Sequence, residues 1–431
     1  MDALDKLSLL GEGAQFEVAS SSAGSAKKKS LGPDAAALCS ARETSGGKAT
    51  RLLRVLQTNR CDRGCSYCPL RAQNDNVRRT RFEPEELAKL YLQFDSRRMV
   101  DGLFLSSGSD NSPDNSMEQV VKTAAVLREK YHYAGYIHLK VLPGTSFSLV
   151  EEAARLANRL SINLEAPSAE RLGAISEEKN FFKDIVMRME WISRMREERG
   201  WLPSGQSTQM IVGAGDETDR EVLKTSSWLY RDLGLNRVYY AAFAPVAGTP
   251  LEDQAAASPR RQQRLYQSDW LLSEYGFGFE ELPFRVDGGL PLGMDPKVAW
   301  ALLNPARFPV EINFAEPEEL LRVPGIGPLS ASRIVALRGS FPFKTLESLK
   351  QTGAVVSRAR DFITINGRYF GAPAELLLKA GQEAMKLKPE GRKKRDQNFS
   401  GLTQLTLPFE WSKETILPSR QTTALTDLAF D

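Results

Sequence analysis

Cys61-Asp-Arg-Gly-Cys65-Ser-Tyr-Cys68 puts three thiols within eight residues of a 431-residue chain whose only other cysteine is Cys39. Soft ligands at this density, in a protein otherwise almost free of cysteine, point to metal rather than to a disulfide. Thiolates so spaced hold iron–sulfur clusters or zinc. A structural zinc site normally closes with four ligands, and the two histidines, His132 and His138, lie far along the chain. A cubane held by three thiolates leaves one iron open, and an open iron can take a substrate or cofactor. The scaffold around residues 61–68 therefore has to keep a loop in place and one side of it accessible.

Alternating strand-like and helix-like segments supply such a scaffold. Strands are expected at 51–57, 102–106, 136–142, 160–164, 208–212 and 237–242. Helices are expected at 83–99, 116–131, 148–159, 181–199 and 218–233, the first with Pro84 in its opening turn and Leu87, Leu90, Tyr91 and Phe94 on one face. Six βα units in succession make a parallel sheet curved into a partial (β/α)6 barrel, and the functional groups of such folds gather at the C-terminal ends of the strands. The cysteine loop follows the first strand directly. A hydrophobic content of 42% is ample for the core, and no apolar run approaches the ~18 residues of a membrane span. No signal peptide is evident and reduced thiols fit the cytoplasm, which is the expected location.

The cysteine spacing, with Tyr67 before the last thiol, resembles the radical S-adenosylmethionine (SAM) superfamily. The resemblance implies a 4Fe–4S cluster held by Cys61, Cys65 and Cys68, with SAM on the open iron, Tyr67 beside its adenine, and an electron donor such as flavodoxin or ferredoxin. The other strand ends then offer contacts for SAM. Ser107, Gly108 and Ser109 follow the second strand, where the superfamily holds the methionine end. Asn163 and Glu165 share one strand face after the fourth, within reach of the ribose or methionine. Gly213 and Gly215 resemble the glycine turn beside the adenine, and Phe243 follows the sixth strand, whose backbone edge commonly meets the adenine ring. Cys39 and Tyr240 are candidates for a catalytic hydrogen donor or relay; core packing is the competing reading of both.

A second motif lies downstream. Leu320 and Leu321 precede Pro324-Gly325-Ile-Gly327, and Ile334, Val335 and Leu337 follow it. This resembles the helix-hairpin-helix of DNA-binding proteins, in which glycines permit close approach and helix-start amides bind a phosphate oxygen. Ser330, Ser332 and Arg333 could add phosphate contacts. A looser copy around Thr352-Gly353 suggests a doubled hairpin. Residues 311–395 hold 15 Lys/Arg against 9 Asp/Glu, so this stretch is basic and suits a polyanion, while the rest is mildly acidic.

Taken together, the chain resembles the family of DNA-modification and repair radical SAM proteins with a C-terminal helix-hairpin-helix module. That family often carries a further cysteine near the position of Ala19, absent here. The expected class is α/β: a partial TIM-like barrel of the radical SAM type followed by a small all-α helix-hairpin-helix domain. The expected divisions are a partly flexible extension (1–50), the barrel (51–250), bridging helices and loops (251–310), the doubled hairpin (311–371), and a basic linker and flexible tail (372–431). In the tail, Gln404, Leu407 and Phe409 resemble the short peptide by which DNA-processing enzymes dock on the sliding clamp. The expected function is radical modification or repair of DNA, held sequence-independently through its phosphates. Two alternatives stay open: modification of tRNA or rRNA, and a non-catalytic iron–sulfur protein that binds DNA and senses redox state.

Overall fold

The structure, a computed structural model, describes residues 1–14, 40–45 and 48–386. Cys39 lies outside the described residues, as do Gln404, Leu407 and Phe409. The central feature is a seven-stranded sheet in simple chain order. Strand β1 (Ser40–Ser45) pairs antiparallel with β2 (Lys48–Leu56). From β2 the sheet is parallel through β3 (Gly102–Ser106), β4 (Tyr136–Lys140), β5 (Arg159–Ser161), β6 (Gln206–Val212) and β7 (Arg237–Ala242). These six parallel strands form a half-barrel, and its helices cover the outer face.

The outer face is apolar. Val55, Leu105, Leu139, Leu160 and Met210 are fully buried there, each side chain's removal from water contributing roughly 1.5–3 kcal/mol. The crossover helices pack on it with their own apolar stripes, such as Leu87, Leu90 and Tyr91 of α2 (Pro84–Ser96) and Val120, Val121 and Ala124 of α3 (Pro113–Ala125). Each helix starts where its cap dictates. Ser112 Oγ accepts the Asn115 amide at 3.1 Å, and Thr218 and Glu221 cap each other's amides at 3.1 and 2.7 Å at the start of the helix Asp219–Asp232.

Four local elements depart from the sequence reading. Residues 1–50, expected as a partly flexible extension in which Lys6 to Leu10 could open a short helix, hold that helix as α1 (Ala3–Gly13), with Leu7 and Leu10 buried, and add strand β1. A short helix, Ala169–Ile175, follows the fourth parallel strand. The stretch expected as linker begins with a helix, Ala374–Lys386, whose Gly381 lies so close to Leu302 that an added Cβ would sit 3.0 Å from that side chain. Finally, a three-stranded sheet of Val310–Glu311, Ile363–Ile365 and Arg368–Tyr369 ties together the ends of the helical C-terminal region. No described helix is long and apolar enough to cross a membrane.

Two hairpins make up that helical region. The first joins Pro317–Arg322 to Pro328–Arg338, the second Leu346–Lys350 to Val356–Ala359. They meet backbone to backbone, the Val355 amide donating to Gly325 O at 2.8 Å. Gly325 has φ +83°, and a Cβ there would lie 2.4 Å from Val355 O. The close approach this glycine permits is thus between the two hairpins.

Candidate functional site

The cysteine loop begins right after β2 and is clamped from three directions. From the β3 end, the Gly108 amide donates to Thr58 O at 2.8 Å and the Asp62 amide to Ser109 O at 2.7 Å. A Cβ on Gly108 would stand 2.2 Å from Arg60 O, so only glycine lets the two turns touch. From within the loop's own downstream arm, the Arg79 guanidinium donates to four carbonyls: Asn59 at 2.6 Å, Leu70 at 2.9 Å, Arg71 at 2.7 Å and Asn74 at 3.2 Å. From the segment after Ala169–Ile175, Ile175 O accepts the Ser66 amide at 2.9 Å and the Glu178 carboxylate accepts the Gly64 amide at 3.0 Å. In the same segment Ser176 Oγ lies 3.2 Å from Cys65 Sγ.

Cys65 is buried, and Cys61 and Cys68 are half-buried. Burial pushes the Cys68 thiol up to about 12, reinforced by the nearby Cys65 and Cys61. Burial also raises Cys61, and Cys65 adds to the effect. Three thiolates so placed repel one another and are stabilised together only by a cation. Among the described residues no three His, Cys, Asp or Glu side chains converge as ligands of one metal ion. A cubane spreads three thiolate ligands over three irons rather than one. The donor set, three cysteines within eight residues, fits a 4Fe–4S cluster with one iron open.

Beside the loop stands a buried polar cluster. Lys179 Nζ is 3.2 Å from Glu165 Oε1 and 3.3 Å from Tyr67 OH, and lies 5.9 Å from the centroid of the Tyr67 ring. Asn163 Nδ2 is 3.4 Å from Glu165 Oε2. Burial would raise the Glu165 carboxyl, but Lys179 and Lys140 outweigh it and hold the group below its usual range. For Lys179, burial is outweighed in the same way by Glu165 and Cys65, so the amine stays charged. Glu165 itself takes a left-handed backbone conformation, φ +67°, rare for a residue with a side chain. Such a strained position beside a ligand loop is typical of functional sites.

The structure therefore brings together Cys61, Cys65, Cys68, Tyr67, Asn163, Glu165 and the turn Ser107–Ser109. In that turn Ser107 Oγ is turned back to Gly108 O at 2.8 Å, while the buried Ser109 Oγ has no hydrogen-bond partner among the described residues. The remaining expected contacts have partners within the protein. The amides of Gly213 and Gly215 are both taken by the Glu217 carboxylate, at 2.5 and 3.1 Å, and Arg261 pairs with that carboxylate in turn at 3.1 Å. This glycine turn closes on its own glutamate. The Phe243 backbone is likewise engaged on both sides, its amide with Val212 O and its carbonyl with the Ala257 amide. Tyr240 faces the helices, with its hydroxyl 2.8 Å from both Ser226 Oγ and Asp269 Oδ1, in keeping with the core-packing reading. Its neighbour Tyr239 occupies the opposite face.

At the first hairpin, Pro324 and Ser330 are buried and Ser332 is exposed. Arg333 Nη1 reaches Thr352 O at 3.3 Å, and Ser330 Oγ stands 3.5 Å from where a Cβ of Gly353 would be. Both side chains face the second hairpin. Gly325 and Gly327 remain partly exposed at the start of the helix Pro328–Arg338. Lys297, absent from the sequence reading, donates to Ile326 O between them and lies 4.4 Å from the Tyr275 ring centroid. Arg79, Ser176, Glu178 and Lys179 were missed as well. A polar run after a short helix was the only local signal for Ser176, Glu178 and Lys179.

Comparison with known proteins follows the same division. Residues 55–229 match the radical SAM superfamily and residues 307–355 the helix-hairpin-helix motif. No curated protein matches the chain. Among solved structures, the FeFe-hydrogenase maturase HydG from Carboxydothermus hydrogenoformans is similar at 15% identity and a TM-score of 0.42, over 51% of each chain. Methylornithine synthase PylB is similar at 18% identity and 0.42, over 51% of this chain and 61% of its own. A radical SAM methyltransferase from Sphaerobacter thermophilus is similar at 16% and 0.39, over 52% of this chain and 64% of its own. The chain thus spans less than two thirds of the length of each. Residues 55–229 are a radical SAM domain, an enzyme domain that works with a 4Fe–4S cluster and SAM, and residues 307–355 add a helix-hairpin-helix motif to it.

Proposed function

We propose that this chain is a radical SAM enzyme that modifies or repairs DNA, with the duplex held through its phosphates by the C-terminal hairpins. The observation that carries the catalytic half is the clamped cysteine loop at the strand end, with the Tyr67–Glu165–Lys179 cluster beside it. Cys61, Cys65 and Cys68 would hold the cluster. Cluster and SAM, when bound, supply one-electron cleavage of SAM to methionine and a 5′-deoxyadenosyl radical. Lys179 offers a buried cation and Glu165 a buried acceptor, which complement a carboxylate and an amino group respectively. Ser109 Oγ adds a hydroxyl with no other partner among the described residues. Arg79 and Gly108 keep the loop in register.

The hairpin motif and the basic balance of residues 311–395 support DNA as the partner. The helix Pro328–Arg338 starts with proline after the extended Gly327, leaving first-turn amides for a phosphate oxygen. Such contacts carry no sequence information, so affinity should fall steeply with salt. Anaerobic reconstitution with iron, sulfide, SAM and a reductant tests the reading. Formation of 5′-deoxyadenosine is expected. Its absence, or a lack of SAM binding in calorimetry, would favour a redox-sensing protein instead, and competition between duplex DNA and folded RNA would separate the two polynucleotide substrates.

A further inference from the structure

A sulfur that ligates a metal responds to whatever donates to it. Cys65, the middle one of the three thiols, is buried at 6% exposure. Its Sγ lies 3.2 Å from the Oγ of Ser176, 111 positions downstream, and Ser176 is itself only 3% exposed. Between a neutral thiol and a hydroxyl either atom can be the donor. A ligating cysteine has lost its proton, which fixes the direction. The Ser176 hydroxyl then donates and the Cys65 thiolate accepts.

Contacts other than this hydroxyl hold the segment against the cysteine loop. On one side of Ser176, Ile175 O accepts the Ser66 amide at 2.9 Å; on the other, the Glu178 carboxylate accepts the Gly64 amide at 3.0 Å. The Ser176 amide donates to Leu172 O at 2.8 Å, closing the last turn of the helix Ala169–Ile175. The hydroxyl is thus delivered to the sulfur by bonds in which it takes no part. Lys179, the cation of the same segment, is paired with Glu165 at 3.2 Å. A hydrogen bond to an ionised acceptor is roughly twice as strong as a neutral one, and burial strengthens it further. Hydrogen bonds to the sulfurs are among the factors that set the potential of an iron–sulfur cluster.

We propose that Ser176 tunes electron entry: its hydroxyl donates to Cys65 Sγ and raises the reduction potential of the cluster that Cys65 helps to hold. This role rests on the cluster reading above and deepens it by naming a residue that acts through a ligand. One electron arrives from an external low-potential donor, and the cluster with its thiolates becomes one charge more negative. No proton moves and no bond breaks. The bond from Ser176 is stronger to the more negative sulfur, so it favours the reduced state.

The test is a potentiometric titration of the anaerobically reconstituted full-length chain, without SAM or DNA. Electron paramagnetic resonance reads the reduced cluster, and iron and sulfide are measured in parallel. Ser176→Ala should keep the native iron and sulfide content and shift the reduction equilibrium about tenfold toward the oxidised state, about 59 mV for one electron. Ser176→Thr keeps the hydroxyl and should stay near the native potential. Ser176→Val, which differs from the threonine variant by a methyl in place of that hydroxyl, should match Ser176→Ala. Equal potentials for the native protein and Ser176→Ala, or for the threonine and valine variants, would overturn the assignment. If the variants lose iron and sulfide instead, the serine is structural and the assignment also falls. An unaltered potential with SAM cleavage intact removes this role alone. A lowered potential in Ser176→Ala, with no SAM cleavage by the native protein, removes the catalytic reading alone.

Discussion

Lys179 and Arg79 hold the site together as much as the cysteines do, and neither stands out in the sequence. The cysteines were legible because their spacing is local: three thiols in eight residues speak for themselves. Lys179 becomes meaningful only when folding brings it against Glu165 and Tyr67, the latter 112 positions away. Removing one partner of a buried pair leaves an uncompensated charge, at a cost of about 3–5 kcal/mol. Lys179→Met should therefore lower thermal stability markedly, and adding Glu165→Gln should recover part of the loss; additive effects in a double-mutant cycle would show that the two are not coupled. Arg79→Ala strips four carbonyls of a charged donor and should cost about 2–4 kcal/mol, with iron and sulfide content after reconstitution falling below that of the native protein. Cys65→Ser should not retain a normal cluster, as read by iron and sulfide analysis.

Elements with a clear period were readable and short ones were not. The strands Gly102–Ser106 and Arg237–Ala242 coincide with their apolar runs, and the long helices begin at their proline and capping signals. The helix Ala169–Ile175 is under two turns long, and strands of two or three residues near 310 and 365 carry no period to detect. The partner of the glycine turn at 213–217 was not legible, because Gly-Ala-Gly has the same appearance whether or not its amides meet Glu217. At the hairpins, Gly325→Ala should cost at least about 2 kcal/mol, since it meets both a positive φ and Val355 O, and should weaken duplex binding in proportion to the hairpin pair lost. Lys297 beneath that loop is pulled down by burial to about 7. Its folded pKa lies below the unfolded value of 10.5, so the folded state binds fewer protons between them, and stability contributed at this site rises with pH over that window. The melting temperature of the native protein should therefore gain on that of Lys297→Met between pH 7 and 10; parallel pH profiles would contradict it.

At the scale of the molecule, the chain joins a radical SAM domain to a helix-hairpin-helix region through a bridge that touches both. Arg322 reaches back to the Tyr275 and Gly276 carbonyls and to Glu281, and Lys297 reaches forward to Ile326. The order of the two modules was visible in the sequence, since each has a compact motif. The contact of Ser176 with Cys65 was not, because it emerges only when residues 111 positions apart are brought together. This arrangement predicts that polynucleotide bound at the hairpins and radical chemistry at the cysteine loop belong to one reaction. The most direct measurement is 5′-deoxyadenosine formation by the anaerobically reconstituted full-length enzyme with SAM and reductant, with and without DNA, alongside mass spectrometry of the nucleosides recovered from that DNA. The account predicts SAM cleavage that depends on Cys61, Cys65 and Cys68, and a new nucleoside mass in the treated DNA. Intact SAM, or cleavage that leaves every nucleoside unchanged, would contradict it.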